Sequence, residues 1–127
     1  MRIEVQRLIK QAERDLENAR KNVGIEAYEV AAFLTEQAVE KYLKAYWMIM
    51  KKEAAPHTHS LTELGDALSV PATLRKHLVN LTADYTTARY PDAANGVPYE
   101  VYDRETAEAK VAAGEAIFSW LRKQTSG

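Results

Sequence analysis

The feature that most constrains this chain is the stretch from Glu26 to Met50, EAYEVAAFLTEQAVEKYLKAYWMIM, which lies in its longest segment free of Gly and Pro. At about 1.5 Å per residue, it predicts a helix of roughly 37 Å. Its apolar residues form one stripe of Ala27, Val30, Ala31, Leu34, Ala38, Ala45 and Ile49, and a second of Val39, Leu43, Tyr46, Trp47 and Met50. A helix with two apolar sides must be covered on both, by further helices or by a second copy of the protein.

Polar side chains are concentrated near the middle of this helix. They are Glu36, Gln37, Glu40, Lys41 and Lys44. Glu40 and Lys44 stand four residues apart in the order that favours an ion pair, so one interpretation is a surface pair worth about 0.2–0.5 kcal/mol. Glu36 and Glu40 have the same spacing and could act as paired carboxylates if another helix completed a site.

Hydrophobic spacing elsewhere in the chain predicts more helices and no strands. The first helix should run from Ile3 to Val23, and Gly24 should end it close enough to the central helix to form an antiparallel hairpin. Further helices are predicted at Leu61–Leu68 and from Pro71 to about Arg89. Asp103 can cap a last helix that runs to about Lys123. The predicted fold is all-α: an antiparallel up-down bundle of four main helices plus one short helix.

Several local predictions accompany this fold. Ser60 and Glu63 fit a capping box, with Ser60 as the N-cap and Glu63 reaching back to it. Gly114 would permit the close approach of another helix. The segment Pro91–Pro98 is predicted to be irregular, and Gln124 to Gly127 are predicted to fray.

Length, charge and cysteine content narrow the class of protein. The 127 residues fit one domain, residues 1–127, which at this size buries about two-thirds of its unfolded surface. The absence of Cys, the charged N-terminus and the lack of a long apolar run lead us to expect a soluble cytoplasmic protein that spans no membrane. A net charge of −1 argues against a generic nucleic-acid binder, but residues 41–90 carry seven basic and four acidic side chains, enough for a local phosphate contact.

Three motifs resemble those of the HEPN family, helical domains named for nucleotide binding in higher eukaryotes and prokaryotes. They are EQAVEKYLKA at residues 36–45, HTHSL at residues 57–61 and ARYP at residues 88–91, and they occur in family order. The resemblance covers nearly the whole chain. It implies a helical bundle, dimers, and a module that works beside a minimal nucleotidyltransferase, as a nucleotide-binding or toxin–antitoxin partner.

The resemblance also raises the question of ribonuclease activity. HEPN toxins and defence nucleases use Arg followed by four to six residues and then His, but no Arg stands at that spacing before His57, His59 or His77. Lys51 and Lys52 stand at such positions without the planar fork of a guanidinium. We therefore predict no catalytic residues and no cofactor. A ribonuclease whose Arg/His motif departs from this spacing remains the alternative.

The predicted ligand-binding residues are Lys41, Lys44, His59, Arg89 and Tyr90. Lys or Arg would hold phosphate and Tyr90 could stack on a base, so the predicted ligand is a nucleotide or RNA. A purely structural interpretation stays open: Arg89 would face a helix C-terminus, and His59 would brace the loop before the third helix. No metal site is predicted, because His57 and His59 lack further ligands at a recognised spacing.

The second apolar stripe also predicts a homodimer. Leu43, Tyr46, Trp47 and Met50 would form its interface, which should bury at least about 1,000 Å². On this hypothesis a Glu at Tyr46 or Trp47 would split the dimer.

Overall fold

A computed structural model describes residues 1–126 of the chain. Four long helices form the bundle: α1 (Ile3–Gly24), α2 (Tyr28–Lys51), α4 (Ala72–Thr82) and α8 (Arg104–Thr125). Four short ones complete it: α3 (Leu61–Ala67), α5 (Asp84–Thr87), α6 (Pro91–Ala94) and α7 (Pro98–Val101). No strand occurs within residues 1–126, so the all-α prediction is confirmed. None of the helices in this range is long and apolar enough to cross a membrane.

The central helix α2 is covered on both sides by the chain itself. Ala31, Ala38 and Ala45 of its first stripe are fully buried, and α1 packs along α2 as the predicted hairpin. In the second stripe Leu43 is fully buried, and Tyr46 is only 6% exposed, with its ring edge-to-face to Trp120 of α8. The expectation that a second copy covers Leu43 and Tyr46 is therefore wrong, because α8 and the α3–α4 region already do so. Further along the stripe, Trp47 is partly exposed and Met50 is 56% exposed.

Gly114 lies at a close approach of α8 to α2. A Cβ atom at this position would lie 2.5 Å from Cγ2 of Thr35, as the prediction of a close helix approach required. Thr35 has little freedom to move away, since it is fully buried and its hydroxyl donates to the carbonyl of Ala31 at 2.8 Å.

Gly114→Ala should therefore lower the free energy of unfolding by about 1–3 kcal/mol, the usual cost of overpacking, even though Ala is the better helix former. Gly24→Ala is the matched control, because nothing lies within 4 Å of the added Cβ there. Urea unfolding of the two variants measures the difference. Equal stability of both would contradict the close packing at Gly114.

The structure corrects three local predictions. The fourth helix does not run unbroken from Pro71 to Arg89 but is interrupted at Ala83, next to the buried Asp84. The segment Pro91–Pro98 is not wholly irregular, because each proline starts a four-residue helix at the position where a missing N–H costs nothing. The last helix ends at Thr125 and not at about Lys123; the fraying of the last residues stays a prediction, and Gly127 lies outside the described residues.

The capping predictions are confirmed in part. Ser60 Oγ accepts the N–H of Glu63 at 3.2 Å, and Asp103 Oδ1 accepts that of Thr106 at 2.8 Å. Glu63 does not reach back to Ser60, since its carboxylate accepts the Thr58 hydroxyl and Thr58 in turn accepts the Ser60 N–H. Thr58, earlier in the loop, thus accepts the Ser60 N–H that Glu63 was expected to accept.

Candidate functional site

The candidate site is organised around the ring of Tyr85 on α5. The imidazole of His59, from the loop before α3, stacks on this ring with centroids 3.9 Å apart and planes 14° apart. The guanidinium carbon of Arg89 lies 4.4 Å from the Tyr85 centroid, and the ring of Phe33 on α2 lies at 6.3 Å. We call Phe33, His59, Tyr85, Arg89 and Tyr90 the Tyr85 cluster.

Arg89 is held by aromatic rings and not by a carboxylate. Its guanidinium carbon lies 4.7 Å from the Phe33 ring and 4.9 Å from the Tyr90 ring, and its Nε donates to the Tyr85 carbonyl at 2.7 Å. Within residues 1–126 no carboxylate lies within ion-pair distance of it. Because the side chain is exposed and its terminal N–H groups project from a fixed fork, it is suited to bind an anion from solution.

His59 is oriented by a buried carboxylate. Its Nδ1 lies 2.9 Å from Oε1 of Glu40, a residue that is only 6% exposed, while the imidazole itself is half exposed. An ionised carboxylate accepts, so Nδ1 carries the hydrogen and Nε2 is left for a ligand.

Glu40 also accepts from Lys44, at 3.1 Å, with both side chains largely buried. The interpretation of these two as a surface pair is therefore wrong. Packing around α2 desolvates them, and the weak energy of an exposed pair does not apply.

A layer of buried carboxyl groups lies in the same part of the bundle. Glu36 is fully buried; its Oε1 accepts from the Gln37 amide at 2.8 Å, and its Oε2 has no hydrogen-bond partner among the described residues. Burial raises the pKa of Glu36 to about 8, and the neighbouring carboxylates of Glu40 and Asp84 push in the same direction against the Gln37 hydrogen bond.

Asp84 is the third member of this layer and is 2% exposed. The Tyr102 hydroxyl donates to its Oδ1, and the Lys110 ammonium lies 2.8 Å from its Oδ2 as an ion pair, although not in hydrogen-bond geometry. Burial and the bond to Asp84 together raise the pKa of the Tyr102 phenol. Asp84 thus has a cation of its own, in contrast to Glu36.

The structure brings together four of the five predicted ligand-binding residues. His59, Arg89 and Tyr90 belong to the Tyr85 cluster, and Lys44 adjoins it through Glu40. Lys41 does not join them, because its ammonium is paired with Asp15 of α1 at 2.6 Å.

Sequence reasoning missed three residues of the site: Phe33, Glu40 as the partner of His59, and Tyr85. Tyr85 precedes Arg89 by four residues, and this helical spacing was a usable signal. The role of Phe33 follows only from tertiary packing.

Three residues of the Tyr85 cluster, His59, Arg89 and Tyr90, are exposed. Two larger surface depressions, of about 730 and 580 Å³, lie along the polar face of α1 and at the bundle end beside Val5, Met48 and Ile49, and no residue of the Tyr85 cluster lines either. Within residues 1–126 no group of three or more His, Cys, Asp or Glu side chains is placed to hold a metal ion.

Comparison with known proteins decides the family. The HEPN domain model matches residues 5–124. The chain belongs to the HEPN family. Among curated proteins none matches it.

Several solved structures, two of them described as HEPN proteins, share the same fold. ST0689, an archaeal HEPN homologue, is 35% identical with a TM-score of 0.84, and the match covers 99% of this chain and 100% of that one. TT1696 from Thermus thermophilus is 25% identical with a TM-score of 0.85, covering 96% and 98% of the two chains. An HEPN domain protein from Thermotoga maritima, TM0613, is 28% identical with a TM-score of 0.69, covering 93% and 96%.

Proposed function

We propose that this HEPN protein is a non-catalytic module that binds a nucleotide, or a phosphate-bearing segment of a partner, at the Tyr85 cluster. The observation that carries the proposal is Arg89, a cation fixed by three rings and without a carboxylate partner among the described residues. His59 adds a second donor beside the same ring, and Tyr90, 52% exposed, offers a face on which a base can stack. Lys44 is paired with Glu40, the carboxylate that also binds His59, and Lys41 is paired with Asp15.

Family membership supports a regulatory role for such a module. The partner we propose is a minimal nucleotidyltransferase, with the two proteins acting as a toxin–antitoxin or nucleotide-handling pair. Co-expression with a nucleotidyltransferase encoded beside this chain, followed by affinity purification, tests the pairing. The pairing would be contradicted if the nucleotidyltransferase did not co-purify with this protein.

Arg89→Ala should weaken nucleotide binding by about 1.5–3 kcal/mol, the usual worth of hydrogen bonds to a charged group, and added salt should weaken it further. Calorimetric titration with ATP, GTP and a short RNA measures this. Arg104→Ala is the matched control, since Arg104 also lies over an aromatic ring, that of Tyr28 at 5.5 Å, but outside the cluster. Equal affinities of the two variants, or no binding of any ligand to the unaltered protein, would contradict the proposed site.

A ribonuclease is the second candidate, and the meeting of His59 and Arg89 at Tyr85 favours it. The pair comes from two segments in the order His then Arg, which departs from the Arg-x(4–6)-His spacing of the family's nucleases. In this role His59 Nε2 would transfer protons and Arg89 would stabilise charge on the phosphate.

Incubation of the purified protein with RNA in the presence of a chelator separates the two candidates. Metal-independent cleavage that disappears in both His59→Ala and Arg89→Ala would establish the enzyme. Binding without cleavage is the result expected from the first proposal.

We also propose a homodimer, with an interface different from the stripe on α2. Three exposed apolar side chains follow the Tyr85 cluster in the chain: Val97, Tyr99 and Val101 are 43%, 70% and 50% exposed. A second copy covering them would remove this surface from water. Light scattering should return a dimer for the unaltered protein and a folded monomer for Tyr99→Glu, whereas a monomer in both cases would contradict the proposal.

A further inference from the structure

The buried carboxyl of Glu36 has no role in the proposed binding contacts. We infer that it regulates them: while Glu36 holds a proton the Tyr85 cluster binds its anionic ligand, and when Glu36 loses the proton the affinity falls. The inference rests on the proposed function of the cluster and assigns to it a proton-dependent control.

The hydrogen bonding of Glu36 supports a protonated carboxyl. A buried carboxylate is stable only when several donors or a cation surround it. Glu36 is fully buried and accepts one hydrogen bond, from Gln37, while its second oxygen meets no donor among the described residues. The neutral acid is therefore the form that this environment favours.

The charges that face Glu36 leave it without a cation. The titratable and charged groups around it, with those that pair with them, are Glu40, Lys41 and Lys44 on α2, Asp15 on α1, His59 before α3, Asp84 on α5, Tyr102 before α8 and Lys110 on α8. Each lysine already has its own carboxylate: Lys41 pairs with Asp15, Lys44 with Glu40, and Lys110 with Asp84. Ionisation of Glu36 would add a negative charge with no ion-pair partner among residues 1–126.

This added charge would act directly on the ligand site. Glu36 lies one helical turn from Glu40, which binds His59, and its other carboxylate neighbour, Asp84, directly precedes Tyr85. A negative charge in this layer lowers the potential at His59 and Arg89, where the ligand's phosphate would lie. One unit charge about 10 Å away, at an effective dielectric constant of about 20–40, changes an affinity roughly four- to fifteenfold.

Calorimetric titration with ATP at about pH 7 and about pH 9, on either side of the titration of Glu36, tests the inference. We expect the affinity of the unaltered protein to fall roughly fivefold more over this range than that of Glu36→Gln, whose side chain has nearly the same shape and cannot ionise. Changes in the charge of ATP affect both proteins alike and cancel. Glu29→Gln, on the same helix but partly exposed, is the matched control and should follow the unaltered protein.

A second variant tests the same control without altering Glu36. Gln37→Leu removes the one hydrogen bond that favours the ionised form, so the loss of affinity should move to higher pH. Identical pH profiles in the unaltered protein and Glu36→Gln would overturn this inference alone. Failure of ATP to bind at either pH would overturn the proposed function, and this inference with it.

Discussion

Tyr46→Glu should strongly destabilise the folded protein and should not merely dissociate a dimer. The side chain is 6% exposed and packs against Trp120, so the substitution places an unpaired carboxylate in the core and removes an aromatic contact. Losses above about 4 kcal/mol are typical of such a change, a large share of the usual 5–15 kcal/mol of a folded domain. Circular dichroism during urea unfolding measures the loss.

Met50→Glu is the matched control, because Met50 belongs to the same stripe of α2 but is 56% exposed. It should change the free energy of unfolding by no more than about 0.5 kcal/mol. If Tyr46→Glu instead gave a folded monomer of unchanged stability, the packing of α2 against α8 described above would be wrong.

Glu36→Gln should stabilise the protein near neutral pH. The pKa of Glu36 rises from 4.5 to about 8 on folding, so between these values the folded chain keeps a proton that the unfolded chain releases. The contribution of Glu36 to stability is therefore greatest below about pH 4.5, falls as the pH rises, and levels off above about pH 8. At about 1.4 kcal/mol per pKa unit, the loss at pH 7 is on the order of 3 kcal/mol.

The Gln variant has no such proton and should avoid this loss. Its advantage should be small at about pH 4 and grow to on the order of 3 kcal/mol at about pH 7, as measured by urea unfolding across the pH range. Glu29→Gln should show no comparable growth. An advantage that does not change with pH would mean that Glu36 titrates normally, and would remove the basis for its control of the ligand site.

The sequence predicted the helices well where local signals decide them. The spacing of Leu and Val, Gly24 at the end of α1 and the caps Ser60 and Asp103 act within a few residues, so the bounds of α1, α2, α3 and α8 follow from them to within about two residues. The interruption at Ala83 was not predictable in this way. It lies beside Asp84, whose buried position depends on Tyr102 and Lys110, residues that come later in the chain.

The same distinction between local and tertiary determinants holds for the candidate site. The sequence by itself determined the all-α bundle, the HEPN family, and the polar residues His59, Arg89 and Tyr90 that lie in the cluster, because helical periodicity and short motifs are local properties of a chain. Only the tertiary structure decided that Tyr85 joins His59 to Arg89 and that Lys41 is paired with Asp15. It also decided that α8 and the α3–α4 region bury Leu43 and Tyr46 of α2, and that the buried carboxyl of Glu36 has no ion-pair partner within residues 1–126. Burial and pairing depend on which distant segments meet, and the spacing of residues along one helix does not specify that.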